Sequence, residues 1–182
     1  MIARLPPFTH EGLLPVGDFV LTFDELFESA LVLGPDNTAD AWDARWRRTL
    51  AENLAIMVGH LCQVGLTDVF IDGSFVENKP RPNDIDGYFL CDRDFFYDGE
   101  LETKLQKLDP AWTWDAERRH AAPGSTKQQL PMWHKYRVEL FPHVGQWTGI
   151  VDQFGHELTF PSAFRLTRDF KPKGILKIGG LP

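Results

Sequence analysis

The hydrophobic period of the chain changes near Asp68, and this change constrains the fold more than any other feature. Before it, apolar side chains recur at the three- to four-residue spacing of one helical face: Trp42, Trp46, Leu50, Leu54, Met57 or Val58, and Leu61. Gly65 is a natural end for this helix. After it, Val69–Ile71 and Ile85–Cys91 are short apolar runs with the length of strands. The pattern predicts a long helix packed on a sheet, since a regular apolar stripe is typical of core rather than of a base-stacking surface.

The remaining segments add further strands, a second helix and an irregular start. Arg137–Phe141 and Gly174–Ile178 are strand candidates, and Gly99–Leu108 predicts a helix. Residues 1–21 are rich in proline and glycine and predict an extended arm, followed by one domain over residues 22–182. A chain of 182 residues is long enough for one compact domain and too short to promise two. We therefore expect an α/β fold in which helices pack on a β-sheet.

The charge balance limits the partners of the chain. Nineteen lysines and arginines face 26 aspartates and glutamates, for a formal net charge of −7. Extended nucleic-acid binding is not expected, because a protein that grips such a backbone unaided is usually basic. No apolar stretch reaches membrane-spanning length, and no apolar segment follows a basic start. The sequence predicts a cytoplasmic protein without a membrane partner.

Asp84-Ile85-Asp86 is the first element that carries chemistry. At the start of a strand, residues i and i+2 point to the same face, so both carboxylates would leave the sheet together. Adjacent carboxylates repel, and each raises the cost of ionising the other. A hard divalent cation such as Mg²⁺ or Mn²⁺ removes that cost and prefers oxygen ligands. The motif predicts a metal site, and an exposed loop with two solvated aspartates is the alternative.

Gly73-Ser74 strengthens the prediction that this aspartate pair belongs to a functional site. It directly follows the first predicted strand, and Asp84 comes ten residues after Ser74. Glycine lets a backbone approach a phosphate closely, and the serine hydroxyl with neighbouring N–H groups can bind phosphate oxygens. Pro80 and Pro82 exclude a continuous helix or a central strand between the two motifs. The spacing would place a phosphate-binding turn beside a metal-binding pair.

The whole run from residue 73 to residue 86 resembles the signature of polymerase β-like nucleotidyltransferases. It reads Gly-Ser-Phe-Val-Glu-Asn-Lys-Pro-Arg-Pro-Asn-Asp-Ile-Asp, and in that superfamily G-S is followed at this spacing by D-x-D. The chain is most similar to small, stand-alone bacterial and phage-borne members with G-S-F-x-x-x-K-P-x-P-x-D-I-D. The similarity extends from the Gly-Pro-rich arm, through the tryptophan-bearing helix, to the Lys-Gly-Ile-Leu-Lys-Ile strand. The resemblance implies a nucleotidyltransferase core, in which a small mixed β-sheet is backed by helices.

The resemblance also implies a third carboxylate on a neighbouring strand, and Glu139 is the best-placed candidate. Glu139 alternates with the apolar Val138 and Leu140, so it projects away from the core side. The usual residue of the family is aspartate, and the longer glutamate would shift the geometry of the metal or the base. Glutamate is chemically able to do either job. An exposed strand glutamate without function is the alternative.

The roles of the site residues follow from the same resemblance. Asp84 and Asp86 would hold two metal ions that bridge a triphosphate. Glu139 would complete one metal site and help to deprotonate the attacking hydroxyl. The residues implied in nucleotide binding are Gly73, Ser74 and Lys79, with Arg81, Lys127 and Lys135 as further candidates for phosphate contacts.

The function implied is Mg²⁺-dependent transfer of a nucleoside monophosphate from a nucleoside triphosphate to an acceptor. The acceptor could be a protein side chain, an RNA end or a small molecule. A competing hypothesis is a non-catalytic partner protein that keeps the fold as a binding module, such as the antitoxin or regulatory half of a toxin–antitoxin or phage-related pair. A third is a metal- or nucleotide-sensing domain.

Overall fold

The computed structural model describes residues 5–35 and 41–181, and a five-stranded sheet lies at its centre. Its strands are β1 (Asp18–Leu21), β2 (Val69–Asp72), β3 (Ile85–Leu90), β4 (His120–Ala121), β5 (Gln128–Gln129), β6 (Val138–His143), β7 (Trp147–Val151), β8 (Glu157–Thr159) and β9 (Ile175–Ile178). The central sheet has the order β1-β9-β2-β3-β6. β4 pairs with β5, and β7 pairs with β8, in two separate two-stranded sheets.

Both parallel and antiparallel pairs occur in the central sheet. β1 is parallel to β9 and β3 is parallel to β6, while β2 is antiparallel to both β3 and β9. The strands expected from apolar runs of the sequence are β2, β3, β6 and β9, and they lie next to one another in the sheet. The prediction of a single α/β domain with a small mixed sheet is confirmed.

The long helix predicted from the apolar stripe is also present. The helices are α1 (Phe23–Phe27), α2 (Ala30–Leu33), α3 (Ala44–Gln63), α4 (Arg93–Tyr97), α5 (Glu100–Leu108), α6 (Pro131–Tyr136) and α7 (Phe160–Ala163). Leu50, Leu54 and Met57 of α3 are fully buried in the core. The indole N–H of Trp46 donates to the carbonyl of Pro82 at 2.6 Å, and this half-buried ring packs against the core. None of the helices described is long and apolar enough to cross a membrane.

The N-terminal segment differs from the extended arm expected over residues 1–21. Its last part, Asp18–Leu21, forms β1 and pairs in register with Ile175–Ile178 at the edge of the sheet. Four residues are too few to show the two-residue period of a strand, and the prolines and glycines before them indicate a loop. A Cβ on Gly174 would lie 2.3 Å from the carbonyl of Pro15, so this segment is closely packed. Residues 1–4 lie outside the described part of the chain.

The β7–β8 hairpin and α7 are further elements without a clear signal in the sequence. The residues of β7 and β8 are exposed or half-buried, so they show no alternation between core and solvent. They bring α7 over the face of the sheet that α3 does not cover. The ring of Phe160 lies 5.5 Å from that of Phe141 and 6.4 Å from that of Tyr88. This aromatic contact closes part of the second face and leaves the rest of it open.

A buried arginine attaches α3 to its neighbours. Arg47 has no exposed surface, and its guanidinium donates to the carbonyls of Leu31, Phe75 and Lys79. It also lies 4.2 Å from the ring centre of Trp42 and 4.7 Å from that of Phe75. Burial lowers the pKa of Arg47 to about 9, which leaves the side chain charged at neutral pH. One side chain therefore holds α2, the turn after β2 and the connection to β3.

We expect Arg47→Met to lower the free energy of unfolding by about 3 kcal/mol or more, because it removes a charged donor from two buried carbonyls and one part-buried carbonyl. Arg48→Met is the matched control on the same helix. Arg48 is half-buried, donates to the carbonyl of Phe27 at 3.3 Å and lies 3.8 Å from Glu28, so its loss is expected to cost about 1 kcal/mol. Urea denaturation measures both changes. Equal losses in the two variants would show that the buried contacts do not anchor the fold.

Candidate active site

Three acidic residues form a row across neighbouring strands on the open face of the sheet. Asp72 of β2 pairs in register with Asp86 of β3, and Asp86 pairs in register with Glu139 of β6. Side chains of residues paired in this way lie on the same face. Ile85 and Phe89 alternate with Asp86 and are fully buried in the core against the other face. The three carboxylates therefore lie side by side, and we call them the carboxylate row.

Asp84 extends this arrangement at the start of β3. Nε1 of Trp133 in α6 donates to Oδ2 of Asp84 at 2.6 Å. The guanidinium of Arg137 lies 3.9 Å from the ring centre of Trp133 and so packs on the residue that holds Asp84. Asp84 and Asp86 line the same cleft. The structure thus places the two aspartates of the D-x-D motif on one side of the sheet.

Burial and repulsion make these carboxylates costly to ionise. Burial, followed by the charges of Asp84 and Glu139, raises the pKa of Asp86 to about 7. Burial also raises the pKa of Asp72 to about 7, although the charge of Lys173 opposes the shift. The pKa of Glu139 is raised as well, again mainly by burial. A divalent cation would offset this repulsion, and carboxylate oxygens are the ligands that Mg²⁺ and Mn²⁺ accept.

Lys173 is a buried cation at one end of the carboxylate row. Its Nζ donates to Oε1 of Glu77 at 2.7 Å and lies 3.1 Å from Oδ1 of Asp72. The second contact is an ion pair without hydrogen-bond geometry, so Oδ1 of Asp72 is buried without a hydrogen bond within the described residues. Burial would lower the pKa of Lys173, but the charges of Asp72 and Glu77 outweigh it and raise the pKa. Lys173 therefore stays charged beside the row.

Asp72 and Lys173 were missed by the sequence analysis. The sequence did offer a signal for Asp72, because it is a charged residue at the end of an apolar strand and directly precedes Gly73-Ser74. Lys173 has no local signal, because it lies between Pro172 and Gly174 in a segment that reads as a turn. Only the tertiary fold brings the ammonium to Asp72.

Gly73 begins a 3₁₀ turn, Gly73–Val76, that follows β2 directly. Its φ is +73°, and a Cβ at this position would lie 2.8 Å from Oδ2 of Asp86. The left-handed backbone and the carboxylate of Asp86 therefore both require glycine. This reason differs from the one expected from the sequence, which was close approach to a phosphate. Ser74, the next residue, is half-buried and lines the cleft.

An open cleft of about 620 Å³ lies over this face of the sheet. The predicted site residues that line it are Gly73, Ser74, Lys79, Asp84, Asp86 and Lys127. The segment that ends and follows α7 supplies another part of the wall, with Phe164 and Leu166 as apolar residues and Thr167 as a polar one. The volume lies within the range of small-molecule sites. The arrangement combines carboxylates, cations and an apolar wall in one cleft.

Two of the predicted phosphate contacts are engaged elsewhere. Arg81 forms an ion pair with Asp43. Lys135 forms one with Asp109, at 2.5 Å. Neither of these two side chains lines the cleft. Lys79 and Lys127 remain as the predicted cations that face it.

Glu139 lies beside Asp86, and the segment before α6 holds its carboxylate. Oε1 accepts from the backbone N–H of Leu130 at 3.2 Å and lies 3.9 Å from Nη1 of Arg119. Glu139 is buried, so the alternative of an exposed strand glutamate is wrong. Within residues 5–35 and 41–181, no three His, Cys, Asp or Glu side chains are arranged to hold one metal ion. Asp84 and Asp86 fit as oxygen ligands that line the cleft, whereas Oε1 of Glu139 is engaged with Leu130 and Glu139 does not line the cleft.

The chain matches a known protein family over most of its length. Residues 6–179 match a family described as a family of unknown function, DUF6932. The chain belongs to this family. The match includes β1, β9 and the entire carboxylate row, so the candidate site of this DUF6932 protein lies inside the shared region. No curated protein and no solved structure matches the chain.

Gly73→Ala is expected to destabilise this DUF6932 protein and to weaken Mn²⁺ binding, because the new Cβ would displace the carboxylate of Asp86. Gly65→Ala is the matched control, since Gly65 has a φ of +85° but no atom within 4 Å of a Cβ. The control isolates backbone strain, for which we expect about 1 kcal/mol. Urea denaturation and calorimetric titration with Mn²⁺ measure the two effects. Equal stability losses with unchanged Mn²⁺ affinity would refute the role of the contact with Asp86.

The metal-free protein is expected to lose stability as the pH rises from about 4 to about 7. The pKa values of Asp72 and Asp86 are about 7 in the folded state and about 3.9 in an unfolded chain. The folded state therefore binds more protons across this range, so its stability falls with rising pH. Asp86→Asn removes one of these groups and should flatten the slope, while Asp94→Asn, on exposed α4, should not.

Chemical denaturation in the presence of a chelator, repeated across this pH range, gives the slopes. Added Mn²⁺ should stabilise the wild type at neutral pH by more than it stabilises Asp86→Asn, since only the wild type keeps both aspartates as ligands. A slope that is the same in all three proteins would mean that burial of Asp86 does not control its ionisation.

Proposed function

We propose that this DUF6932 protein is a metal-dependent nucleotidyltransferase, which transfers a nucleoside monophosphate from a nucleoside triphosphate to an acceptor. The observation that carries the proposal is that Asp84 and Asp86 line one cleft with the turn that begins with Gly73, while Glu139 lies in register beside Asp86. Metal-assisted phosphoryl transfer needs such oxygen ligands next to a phosphate site. The resemblance of residues 73–86 to the polymerase β-like signature supports the same reaction, and the fold proposed with it is the nucleotidyltransferase core.

Asp84 and Asp86 are the residues that would hold Mg²⁺ or Mn²⁺. Both line the cleft, and the raised pKa of Asp86 reflects a repulsion that a cation would relieve. When bound, the metal supplies charge stabilisation for in-line displacement of pyrophosphate from the α-phosphorus. Asp72 has a different role in this proposal, because its carboxylate faces the ammonium of Lys173 at 3.1 Å. It would fix the end of β2 from which the Gly73 turn begins.

The nucleoside triphosphate would lie in the cleft. The Ser74 hydroxyl and the N–H groups of its turn would bind phosphate oxygens, and Lys79 and Lys127 would supply positive charge in the lining. Phe164 and Leu166 give the cleft an apolar wall that suits a base. The cytoplasmic location expected from the sequence belongs to the same proposal.

Glu139 would accept the proton of the attacking hydroxyl. It lies in register with Asp86, so a base at this position would be next to the reacting phosphate. Burial raises the pKa of Glu139, and a base with a raised pKa accepts a proton more readily. The acceptor of the nucleotidyl group remains open between a protein, an RNA end and a small molecule.

One observation favours the alternative of a non-catalytic partner protein. Glu139 is held by the N–H of Leu130 and lies near Arg119, and the third carboxylate is a glutamate where the family it resembles has an aspartate. A binding module needs no mobile base and would keep this arrangement with nucleotide bound. As a regulatory or antitoxin component, such a protein would bind a nucleoside triphosphate without turnover.

Glu139→Gln separates the two functions. The amide keeps the shape of the side chain but cannot accept a proton, so we expect triphosphate affinity within a few-fold of wild type and turnover lower by about 10²–10⁴. Glu52→Gln, on the exposed side of α3, is the control and should leave both values unchanged. The measurements are pyrophosphate release from each of the four triphosphates with Mg²⁺ or Mn²⁺, and direct binding affinities.

Turnover that survives in Glu139→Gln would remove Glu139 from the mechanism. Tight triphosphate binding by the wild type, without pyrophosphate release in a wide screen of protein, RNA and small-molecule acceptors, would establish the binding module instead.

A further inference from the structure

One segment of this acidic chain contains positive charge alone. Residues 118–138 include no aspartate or glutamate, although 26 occur in the whole sequence. The basic residues of the segment are Arg118, Arg119, Lys127, Lys135 and Arg137. The chain as a whole repels anions, because its net charge is −7, but this segment carries no negative charge that would repel an anionic molecule. We call residues 118–138 the basic segment.

The basic segment lies at the Glu139 end of the carboxylate row. Nη1 of Arg119 lies 3.9 Å from Oε1 of Glu139 and donates to the carbonyl of Gln128 at 3.4 Å. Both contacts use one nitrogen of a guanidinium that carries five N–H donors. Lys127 lines the cleft, and Arg118 is exposed next to Arg119. Lys135 and Arg137 point elsewhere, to Asp109 and to the ring of Trp133.

The row therefore has a cation at each end. Lys173 lies against Asp72, next to the Gly73 turn, and Arg119 lies against Glu139. In-line displacement requires the attacking oxygen and the leaving pyrophosphate on opposite sides of the α-phosphorus. If the triphosphate is held on the Gly73 side, the acceptor must approach from the side of Glu139. That side is covered by the basic segment.

Resting on the proposed nucleotidyltransferase function, we infer that the acceptor is a nucleotide that carries a phosphate close to its attacking hydroxyl. Arg118 and Arg119 bind that phosphate, since the guanidinium fork matches phosphate oxygens and keeps its charge on the surface. A neutral hydroxyl on a protein would make no use of these charges.

Two aromatic rings in the same segment support a nucleotide acceptor. The rings of His120 and His134 stack with centroids 3.7 Å apart and an interplanar angle of 9°. Nε2 of His134 lies 2.9 Å from the carbonyl of His120, which holds the pair together. His120 is exposed and directly follows Arg119. A flat aromatic ring beside an arginine is the combination on which unpaired bases stack.

The test measures binding of three acceptor-like probes to the metal-loaded wild-type protein. The first is a fluorescein-labelled single-stranded RNA hexamer with a free 3′-hydroxyl, the second is adenosine monophosphate, and the third is a methylphosphonate hexamer without backbone charge. We expect the RNA hexamer to bind with an affinity that falls with salt, and the uncharged hexamer to bind at least about tenfold more weakly. A hexamer that binds more tightly than the mononucleotide assigns the site to an RNA end, and equal affinities assign it to a free nucleotide.

The variant Arg118→Gln/Arg119→Gln identifies the residues involved. The slope of log affinity against log salt should fall by about 0.7, because the two arginines bind one phosphate and each neutralised phosphate of a single strand contributes about 0.7. Lys104→Gln/Lys107→Gln removes the same charge from α5 and should leave the slope unchanged. Arg119→Lys keeps the charge and should keep most of the slope, which guards against a folding defect in the double variant.

Two results would overturn the inference: equal binding of the charged and uncharged hexamers, or the same RNA affinity and salt slope in the arginine double variant as in wild type. Triphosphate affinity and pyrophosphate release of the wild type are measured separately. Failure of those two measurements rejects the nucleotidyltransferase proposal itself, whereas failure of the probe measurements alone rejects only the nucleotide acceptor.

Discussion

The buried charge of Arg47 is the interaction on which the candidate site most depends. A guanidinium removed from water must be compensated nearby, and here backbone carbonyls of Leu31, Phe75 and Lys79 provide the compensation. Phe75 belongs to the turn that starts at Gly73, and Lys79 belongs to the connection that leads to Asp84. The prolines of that connection prevent it from forming a helix or a strand, so it lacks the backbone hydrogen bonds of regular secondary structure. Its path is therefore set by a side chain of α3, and through it the core helix determines where the D-x-D motif enters the sheet.

The carboxylate row illustrates a conflict between folding and chemistry. Register places Asp72, Asp86 and Glu139 side by side, and a slip of one residue would turn them into the core. Their repulsion destabilises the metal-free fold, while Lys173 and Arg119 reduce it at the two ends. Residues that cost stability in the folded state are expected where a protein binds or reacts. The row is the clearest example of this in the described part of the chain.

Local pattern was sufficient for part of this structure. The helical spacing of apolar residues in α3 and the short apolar runs of β2, β3, β6 and β9 are local patterns. These five elements could therefore be predicted from the sequence. The D-x-D geometry followed from the two-residue repeat of a strand. Strand order and register are not local properties, so Asp72 could not be placed beside Asp86, nor Lys173 beside Asp72. β1 was missed for the same reason, because its strand character comes from pairing with β9 rather than from its own four residues.

The position of β9 has a consequence for how the domain is assembled. It follows the other strands of the sheet along the chain, yet it lies between β1 and β2. During synthesis, β1 leaves the ribosome first, but the strand with which it pairs, β9, is made only after β2, β3 and β6, which can already pair with one another. Contacts between such distant segments form slowly, since a long loop must close before they gain any energy. Lys173 arrives with β9, so the acidic face stays without this counter-charge until the sheet is completed. A nascent chain is thus unable to present a finished site before its last strand is inserted.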